Sequence, residues 1–105
     1  MIKYNGKLMK EIWVDIDGTL AKTEGHDYAH AIPIKEAIDK VNSYYYGGCY
    51  IKVWTGRGTN SHKDWNALTI QQLSDWKLKY HELRFERKPD MLVDNIAINS
   101  RDFIK

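Results

Sequence analysis

The sequence predicts an α/β fold in which helices flank a mainly parallel sheet. Short apolar runs rich in β-branched and aromatic residues alternate with longer segments of helical periodicity, as in strands joined by crossover helices. Three of the four predicted strands end in conspicuous polar residues, which is typical of parallel strands that deliver side chains to a site. At 105 residues, the chain has the length of one domain.

The predicted elements follow in the order strand, helix, strand, helix, strand, strand. We interpret residues 1–10, which are polar and contain Gly6, as a loosely held N-terminal extension with room for an extra strand. The domain itself is expected over residues 11–105. Pro33 is expected in the first turn of the first helix, and Asn95 at the end of the fourth strand. The predicted strands are 12–14, 49–54, 83–85 and 91–93, and the predicted helices are 34–45 and 63–80. The tail, residues 96–105, has room for a short further strand and a final turn.

Composition gives little indication of a partner. Sixteen Lys and Arg against fourteen Asp and Glu leave a net charge of +2, with the signs interspersed, so nucleic acid gains no support although it stays open. The single Cys49 cannot form an intrachain disulfide, and no apolar run reaches the ~20 residues of a membrane span. The first residues lack the apolar stretch of a signal peptide. We therefore expect a cytoplasmic protein with no membrane partner.

The strongest chemical signal is the hexapeptide Asp-Ile-Asp-Gly-Thr-Leu at 15–20, directly after the first predicted strand. Asp15 and Asp17 are two apart, so on extended backbone both carboxylates point to one side. Two like charges so close are costly unless a cation or a proton compensates them, and Mg²⁺ with its preference for oxygen ligands is the obvious candidate. Gly18 allows a sharp turn of the backbone close to a ligand.

Polar residues also follow the second and fourth predicted strands. Thr55, Gly56 and Arg57 come after the second, and Asp94 comes after the fourth. Because the carboxyl ends of parallel strands meet at one edge of the sheet, we expect these residues to converge on Asp15.

These motifs resemble those of the haloacid dehalogenase (HAD) superfamily. Its first motif is Asp-x-Asp-Gly-Thr-Leu/Val, and Thr55, Lys88 and Asp94 match its later threonine, lysine and acidic positions in order. The resemblance covers roughly residues 11–104. It extends to a narrower group within the superfamily, the small capless members often associated with polysaccharide biosynthesis. It implies a Rossmann-like HAD fold without a cap domain. The segments that carry the narrower resemblance include Asp27-Tyr28, Ala31-Ile32-Pro33-Ile34, Thr55-Gly56-Arg57-Gly58, Leu73-Ser74-Asp75-Trp76 and Lys88-Pro89.

The resemblance implies a Mg²⁺-dependent phosphatase. Asp15 would be the nucleophile that forms an aspartyl-phosphate, and Asp17 would act as general acid and then as general base. Thr55 and Lys88 would stabilise charge on the phosphoryl group. Asp15, the backbone carbonyl of Asp17, and Asp94 would hold the metal.

Substrate contacts are expected from a second set of residues near these motifs. Arg57 has two interpretations of equal weight, a contact to phosphate or sugar and an ion pair with a neighbouring carboxylate such as Asp94. The sequence departs from the narrower group at Arg87, where glycine is usual, and at Asn95, where a second acid is usual. The expected substrate-binding residues are Gly18, Thr19, Tyr28, Gly56 and Arg57.

The expected function is hydrolysis of a small phosphorylated substrate, with a sugar phosphate or related metabolite as the leading class. Two alternatives stay open. One is a polynucleotide 3′-phosphatase or nucleotidase, because the first motif and the later Gly-Arg also resemble the phosphatase half of phage polynucleotide kinase-phosphatases. The other is a non-catalytic HAD-like binding protein. Three consecutive tyrosines at 44–46 suggest a contact for a homo-oligomer, and the short connections predict an open site.

Overall fold

The fold is an all-parallel four-stranded sheet with two helices, as given by a computed structural model whose described residues are 2–59, 63–86 and, as backbone, 95–98. The strands are β1 (Ile2–Tyr4), β2 (Lys7–Met9), β3 (Glu11–Asp15), β4 (Ala21–Lys22), β5 (Ile32–Pro33), β6 (Tyr50–Thr55), β7 (Glu82–Phe85) and β8 (Asn95–Ile98), and the helices are α1 (Lys35–Tyr46) and α2 (Asn66–Asp75). The α/β class and the parallel sheet predicted from the sequence are confirmed.

The strand order in the central sheet is β7-β6-β3-β8. From β3 the chain moves outward through β6 to β7, and then returns to place β8 on the other side of β3. The strand order therefore reverses at β3. In open parallel sheets, ligands bind beyond the carboxyl ends of the strands at such a reversal, so the end of β3 is where the fold places a site.

Both helices pack on the same face of the sheet. In both β3 and β6, apolar residues alternate along the strand and face the helices, and these residues lie beside one another in the two strands. Ile12 lies beside Ile51 and Val14 beside Val53, and all four belong to one buried cluster. Burying such side chains contributes about 1.5–3 kcal/mol each, so the cluster accounts for much of the stability of the fold. The helices and their flanking turns add Ala37, Ile38, Val41, Leu73 and Leu78 to this cluster.

The opposite face of the sheet carries charged and aromatic side chains. Lys52 of β6 is buried, pairs with the buried Glu11, and lies 4.9 Å from the ring centroid of Trp13. The indole nitrogens of Trp13 and Trp54 are buried, and neither has a hydrogen-bond partner within the described ranges. The attraction within a buried ion pair compensates for the cost of removing both charges from water only when the charged groups are in direct contact, as they are in the Lys52–Glu11 pair.

Residues 2–9 form a β-hairpin, whereas the sequence predicted a loosely held extension with at most one strand. Asn5 and Gly6 occupy the turn with φ of 50° and 80°, the backbone conformation of a two-residue hairpin loop. Tyr4 anchors the hairpin, since its ring centroid lies 5.2 Å from that of Tyr50 and 5.0 Å from that of His81. Among the described strands, β1 and β2 pair only with each other, so ring packing attaches this segment to the domain.

Three predicted boundaries are wrong. Pro33 belongs to β5 and pairs with Ala21, so α1 begins at Lys35, beyond the proline. The second helix covers only Asn66–Asp75 rather than 63–80. Asn95, expected at the end of the fourth strand, begins β8 beside Glu11, because the β-formers Ile96 and Ile98 follow it. β8 confirms the short strand expected in the tail and starts one residue earlier than Ile96. The predicted strand 91–93 lies outside the described residues.

In the described part of the chain, the structure contains no helix of the length and apolarity that crossing a membrane requires.

The end of α2 explains why this helix is shorter than its periodicity suggests. Lys77 has a φ of 60°, and the amides of Lys77 and Leu78 donate to the carbonyls of Ser74 and Leu73 at 3.0 and 3.1 Å. These bonds form a Schellman motif, in which glycine is the preferred residue at the left-handed position. A lysine there carries backbone strain.

We expect Lys77→Gly to raise the free energy of unfolding by about 0.5–1 kcal/mol, because glycine adopts positive φ without a Cβ penalty. Urea denaturation measures the change. The matched control is Lys77→Ala, which removes the same side chain but keeps the penalty. An equal gain in both variants would show that the lysine side chain, and not its backbone, is unfavourable.

His81 joins the hairpin, α1 and β6 in one aromatic cluster. Its ring stacks on Tyr45 and Tyr50 at centroid distances of 4.7 and 4.5 Å, and its Nδ1 accepts a hydrogen bond from the amide of Ile51 at 3.0 Å. Burial lowers the pKa of His81 below its ordinary value of 6.5. The folded state therefore favours the neutral imidazole more than the unfolded chain does.

Stability is expected to fall as the pH is lowered through about 6.5, because the unfolded chain then binds a proton at His81 that the folded chain does not yet accept. The unfolding free energy measured by urea between pH 5 and 7.5 should rise with pH. In His81→Asn, whose amide oxygen can replace Nδ1 as acceptor, that slope should decrease. A difference between wild type and variant that is constant with pH would contradict this assignment.

Candidate active site

Asp15 is the last residue of β3 and lies at the reversal of strand order. The chain then turns sharply: the carbonyl of Ile16 accepts hydrogen bonds from the amides of Thr19, Leu20 and Ala21 at 3.2, 2.8 and 3.0 Å. Ile16 and Leu20 are completely buried and fix this turn to the core. The turn therefore holds Asp15 and the residues that follow it at the end of the central strand.

Gly18 is required by the backbone of this turn. Its φ is 88°, a conformation that side chains other than glycine rarely adopt, although a Cβ there would meet no atom within 4 Å. The glycine is needed for its conformational freedom rather than for space. Gly18 is exposed at the tip, as expected for a residue near a ligand.

Asp17 forms a bidentate ion pair with Arg57. Arg57 Nε donates to Asp17 Oδ2 at 2.9 Å and Nη2 donates to Oδ1 at 2.8 Å. Thr23 Oγ1 also donates to Oδ1 at 2.6 Å. The Asp17 side chain is 25% exposed and the Arg57 side chain is 0% exposed. Such a fork fixes the plane of the carboxylate as well as its position.

The rest of the Arg57 guanidinium is engaged by α2. Its Nη1 donates to Thr69 Oγ1 at 3.1 Å and to Gln72 Oε1 at 2.6 Å, and both acceptors are buried. Of the two sequence-based interpretations of Arg57, the described structure shows the ion pair, and the carboxylate is that of Asp17. The other interpretation, a contact to phosphate or sugar, needs a guanidinium that reaches the substrate, whereas the Arg57 guanidinium is enclosed by protein.

The ring of Tyr28, which lies in the loop after the first motif, covers the Arg57 guanidinium. The centre of the Arg57 guanidinium lies 4.8 Å from the Tyr28 ring centroid, and Gln72 Nε2 donates to the Tyr28 carbonyl at 2.6 Å. The edge of Trp65 packs on the same ring at 5.0 Å. Burial, and then the charge of Asp17, raise the pKa of the Tyr28 phenol, while Arg57 opposes the shift. Tyr28 is half-buried, so part of it stays available to a ligand.

The other predicted site residues differ in how far they are exposed. Thr55 ends β6 and is completely buried, and its Oγ1 accepts a hydrogen bond from the Arg57 amide at 3.2 Å. Thr19 is also buried, at 1% exposure, whereas Gly56 is exposed. Lys88 and Asp94 lie outside the described residues.

A depression of about 300 Å³ opens beside Arg57 at the carboxyl end of β6 and β7. Gly58 forms part of its wall with a φ of 81°, and a Cβ on Gly58 would lie 2.3 Å from the backbone oxygen of Lys63. The loop after β6 therefore passes so close to the chain before α2 that only glycine fits. Phe85 and Asn66 line the depression from β7 and α2.

The oxygen donors at the end of β3 suit a hard cation such as Mg²⁺. Asp15 supplies a carboxylate, while both oxygens of Asp17 are held by Arg57, so Asp17 can contribute its backbone carbonyl. Within the described ranges no three His, Cys, Asp or Glu side chains form a group that could hold a metal. The third expected ligand, Asp94, lies outside those ranges.

Sequence reasoning missed three residues of this site, namely Thr23, Thr69 and Gln72. The last two carried a signal, because they are polar residues at i and i+3 on the face of α2 that also bears Leu73. Buried polar side chains need partners, so this pair indicated a buried donor nearby. Thr23 had no comparable signal in the sequence.

No family model and no curated protein matches the chain. The chain is similar to a target protein from Vibrio cholerae known from a crystal structure, with a TM-score of 0.73 and 21% identity over 90% of this chain and 87% of that one. At this identity the likeness shows the fold alone. The α/β architecture thus has a counterpart among solved structures.

We expect Asp17→Asn to lower the free energy of unfolding by about 3 kcal/mol, since it leaves the buried Arg57 charge without its counter-charge. The control is Asp27→Asn, which removes an acid from an exposed pair with His30 and should cost less than about 1 kcal/mol. Urea denaturation of both variants tests the difference. Equal losses would show that the Asp17–Arg57 pair adds no stability beyond that of a surface pair.

Proposed function

We propose that the protein is a Mg²⁺-dependent phosphomonoester hydrolase of HAD type. The observation that carries the proposal is the position of Asp15, a carboxylate at the end of the central strand where the strand order reverses, with Asp17 held beside it by a buried guanidinium. The resemblance of residues 15–20 to the first HAD motif supports the same conclusion. A nucleophilic carboxylate needs a fixed position, and β3 supplies it.

The proposed reaction has two steps. In the first, an Asp15 carboxylate oxygen attacks phosphorus, the bond from phosphorus to the ester oxygen breaks, and Asp17 gives its proton to the departing alkoxide. In the second, Asp17 takes a proton from water, the water oxygen attacks the aspartyl-phosphate, and the bond from phosphorus to Asp15 breaks. Phosphate leaves and Asp17 carries the proton for the next cycle.

Of the remaining motif residues, Lys88 would stabilise the charge of the phosphoryl group with its ammonium. Thr55 is completely buried and its oxygen accepts the Arg57 amide, so we assign its hydroxyl the role of holding the loop after β6 and not a contact to phosphate. Bound Mg²⁺ would neutralise negative charge on the phosphate, held by Asp15 and the Asp17 carbonyl. Asp94, the third ligand expected from the sequence, is not assigned, because its neighbour Asn95 pairs with Glu11 at the opposite end of β3 from Asp15. Phosphoryl transfer depends mostly on such positioning and charge.

A small phosphorylated metabolite, with a sugar phosphate as the leading class, is the proposed substrate. In the described part of the chain, the connection after β3 holds only the β4–β5 ribbon and a short turn of helix, and the connection after β6 holds one helix. Neither is long enough to enclose a substrate. The near balance of charge, +2, supports a metabolite rather than a polyanion.

We expect Asp15→Asn to abolish hydrolysis of an aryl phosphate in the presence of Mg²⁺, because an amide does not attack phosphorus. The rate of release of the phenol measures activity, and circular dichroism establishes that the variant is folded. The matched control is Asp39→Asn, an exposed acid on α1 that pairs with Lys35, which should keep wild-type turnover. Undiminished turnover in Asp15→Asn would contradict the mechanism.

A panel of sugar phosphates, nucleotides and a 3′-phosphorylated oligonucleotide then tests the substrate class. The highest kcat/KM on a sugar phosphate supports the proposal. A preference for the oligonucleotide that falls steeply with salt would instead support a polynucleotide phosphatase. Absence of Mg²⁺-dependent activity on every member of the panel would overturn the assignment to an enzyme of this class.

A further inference from the structure

Arg57 contacts three separate parts of the chain at once. It binds Asp17 of the first motif, Thr69 and Gln72 of α2, and the ring of Tyr28. Tyr28 belongs to residues 21–33, which comprise β4, a single turn of helix and β5, and which we call the flap. The buried guanidinium is therefore the common partner of the first motif, a helix and the flap.

From this arrangement we infer that Arg57 is a positioning residue that couples docking of the flap to the orientation of the Asp17 carboxylate. The inference rests on the proposed function, in which Asp17 is the proton donor. It assigns Arg57 no contact with phosphate.

The hydrogen bonds of Arg57 keep it in place. A guanidinium has five N–H donors, and the structure records four hydrogen bonds from this one, two to Asp17 and one each to Thr69 and Gln72. Its side chain is 0% exposed. Turning towards a substrate would break these charge-assisted bonds and separate the buried ion pair with Asp17, which is energetically costly. Arg57 is therefore held as part of the scaffold.

Gln72 connects the guanidinium to the flap through the two ends of one amide. Its Oε1 accepts from Arg57 Nη1 at 2.6 Å, and its Nε2 donates to the Tyr28 carbonyl at 2.6 Å. A shift of Tyr28 away from α2 removes one of these bonds and also uncovers the guanidinium. The position of the flap and the position of Arg57 are thereby energetically linked.

The flap also reaches Asp17 directly. Thr23 Oγ1 donates to Asp17 Oδ1 at 2.6 Å, and the same oxygen accepts Arg57 Nη2. Asp17 Oδ2 accepts Arg57 Nε. When the flap is docked, donors from both sides fix the carboxylate, and the second lone pair of Oδ2 is the natural position for the proton that passes to the leaving group.

The test exploits leaving-group chemistry. An alkyl phosphate needs a proton on its departing oxygen, whereas p-nitrophenyl phosphate departs as a stable phenolate and needs the acid much less. General acid catalysis contributes about 10²–10⁴-fold. In Arg57→Lys and in Gln72→Met we expect kcat/KM for an alkyl phosphate to fall about 100-fold or more, and for p-nitrophenyl phosphate less than about 10-fold. A purely structural defect would lower both rates equally.

The matched control is Gln71→Met, because Gln71 is the neighbouring glutamine on the exposed side of α2 and, among the described residues, its side chain bonds only Asp75 of its own helix. It should leave both rates unchanged. Equal losses for the two substrates in Gln72→Met would overturn the inference, as would a loss in Gln71→Met that matches it. Gln72→Met also keeps the Asp17–Arg57 pair, so it tests the coupling if Arg57→Lys does not fold.

Amide hydrogen exchange separates this inference from the proposed function. We expect Gln72→Met to raise exchange rates in the flap, residues 21–33, at least about tenfold, and Gln71→Met to leave them unchanged. If the wild-type protein hydrolyses neither phosphate, the proposed function fails, and the exchange result still decides whether Gln72 docks the flap. Unchanged exchange in Gln72→Met would overturn the coupling whatever the activity.

Discussion

A buried positive charge sets the main constraint on this structure. Arg57 has no exposed side-chain area, and burying a guanidinium is costly unless charge and hydrogen bonds compensate it. Asp17 supplies the charge, and Thr69 and Gln72 supply neutral acceptors from α2. The first motif, the loop after β6 and the start of α2 must therefore keep one relative arrangement. Gly58 helps to keep this arrangement, because its lack of a side chain lets the loop after β6 pass close to Lys63.

The parts of the fold that could be predicted from the sequence depend on local periodicity. Alternation and β-branching indicated β3 and β6, and the apolar spacing of α1 indicated a helix ending just before Gly47. The boundary that was wrong at Pro33 depends on a contact more distant in sequence. Pro33 is compatible with a first helical turn, but pairing with Ala21 draws it into a strand. No local pattern reveals that competition.

The candidate site was predictable to a similar degree. The convergence of Asp15, Asp17 and the loop after Thr55 follows from parallel strands, and that much needs only the fold class. The identity of the carboxylate that pairs with Arg57 could not be predicted in this way. Any nearby carboxylate can pair with a guanidinium, and which one does so depends on the acceptors that bind the remaining N–H groups. Those acceptors are Thr69 and Gln72, and they are 12 and 15 residues from Arg57 in sequence.

The strand order has a consequence for the order in which the chain can fold as it is synthesised. β3 is formed early, but one of its two neighbours, β8, is the last described strand. A nascent chain that ends at Glu86 can pair β3 with β6 and β6 with β7, yet it leaves the other edge of β3 unpaired. Unpaired edges of parallel strands promote association between chains. The strand that carries Asp15 therefore acquires its second neighbour last, and premature termination would leave its backbone open to aggregation.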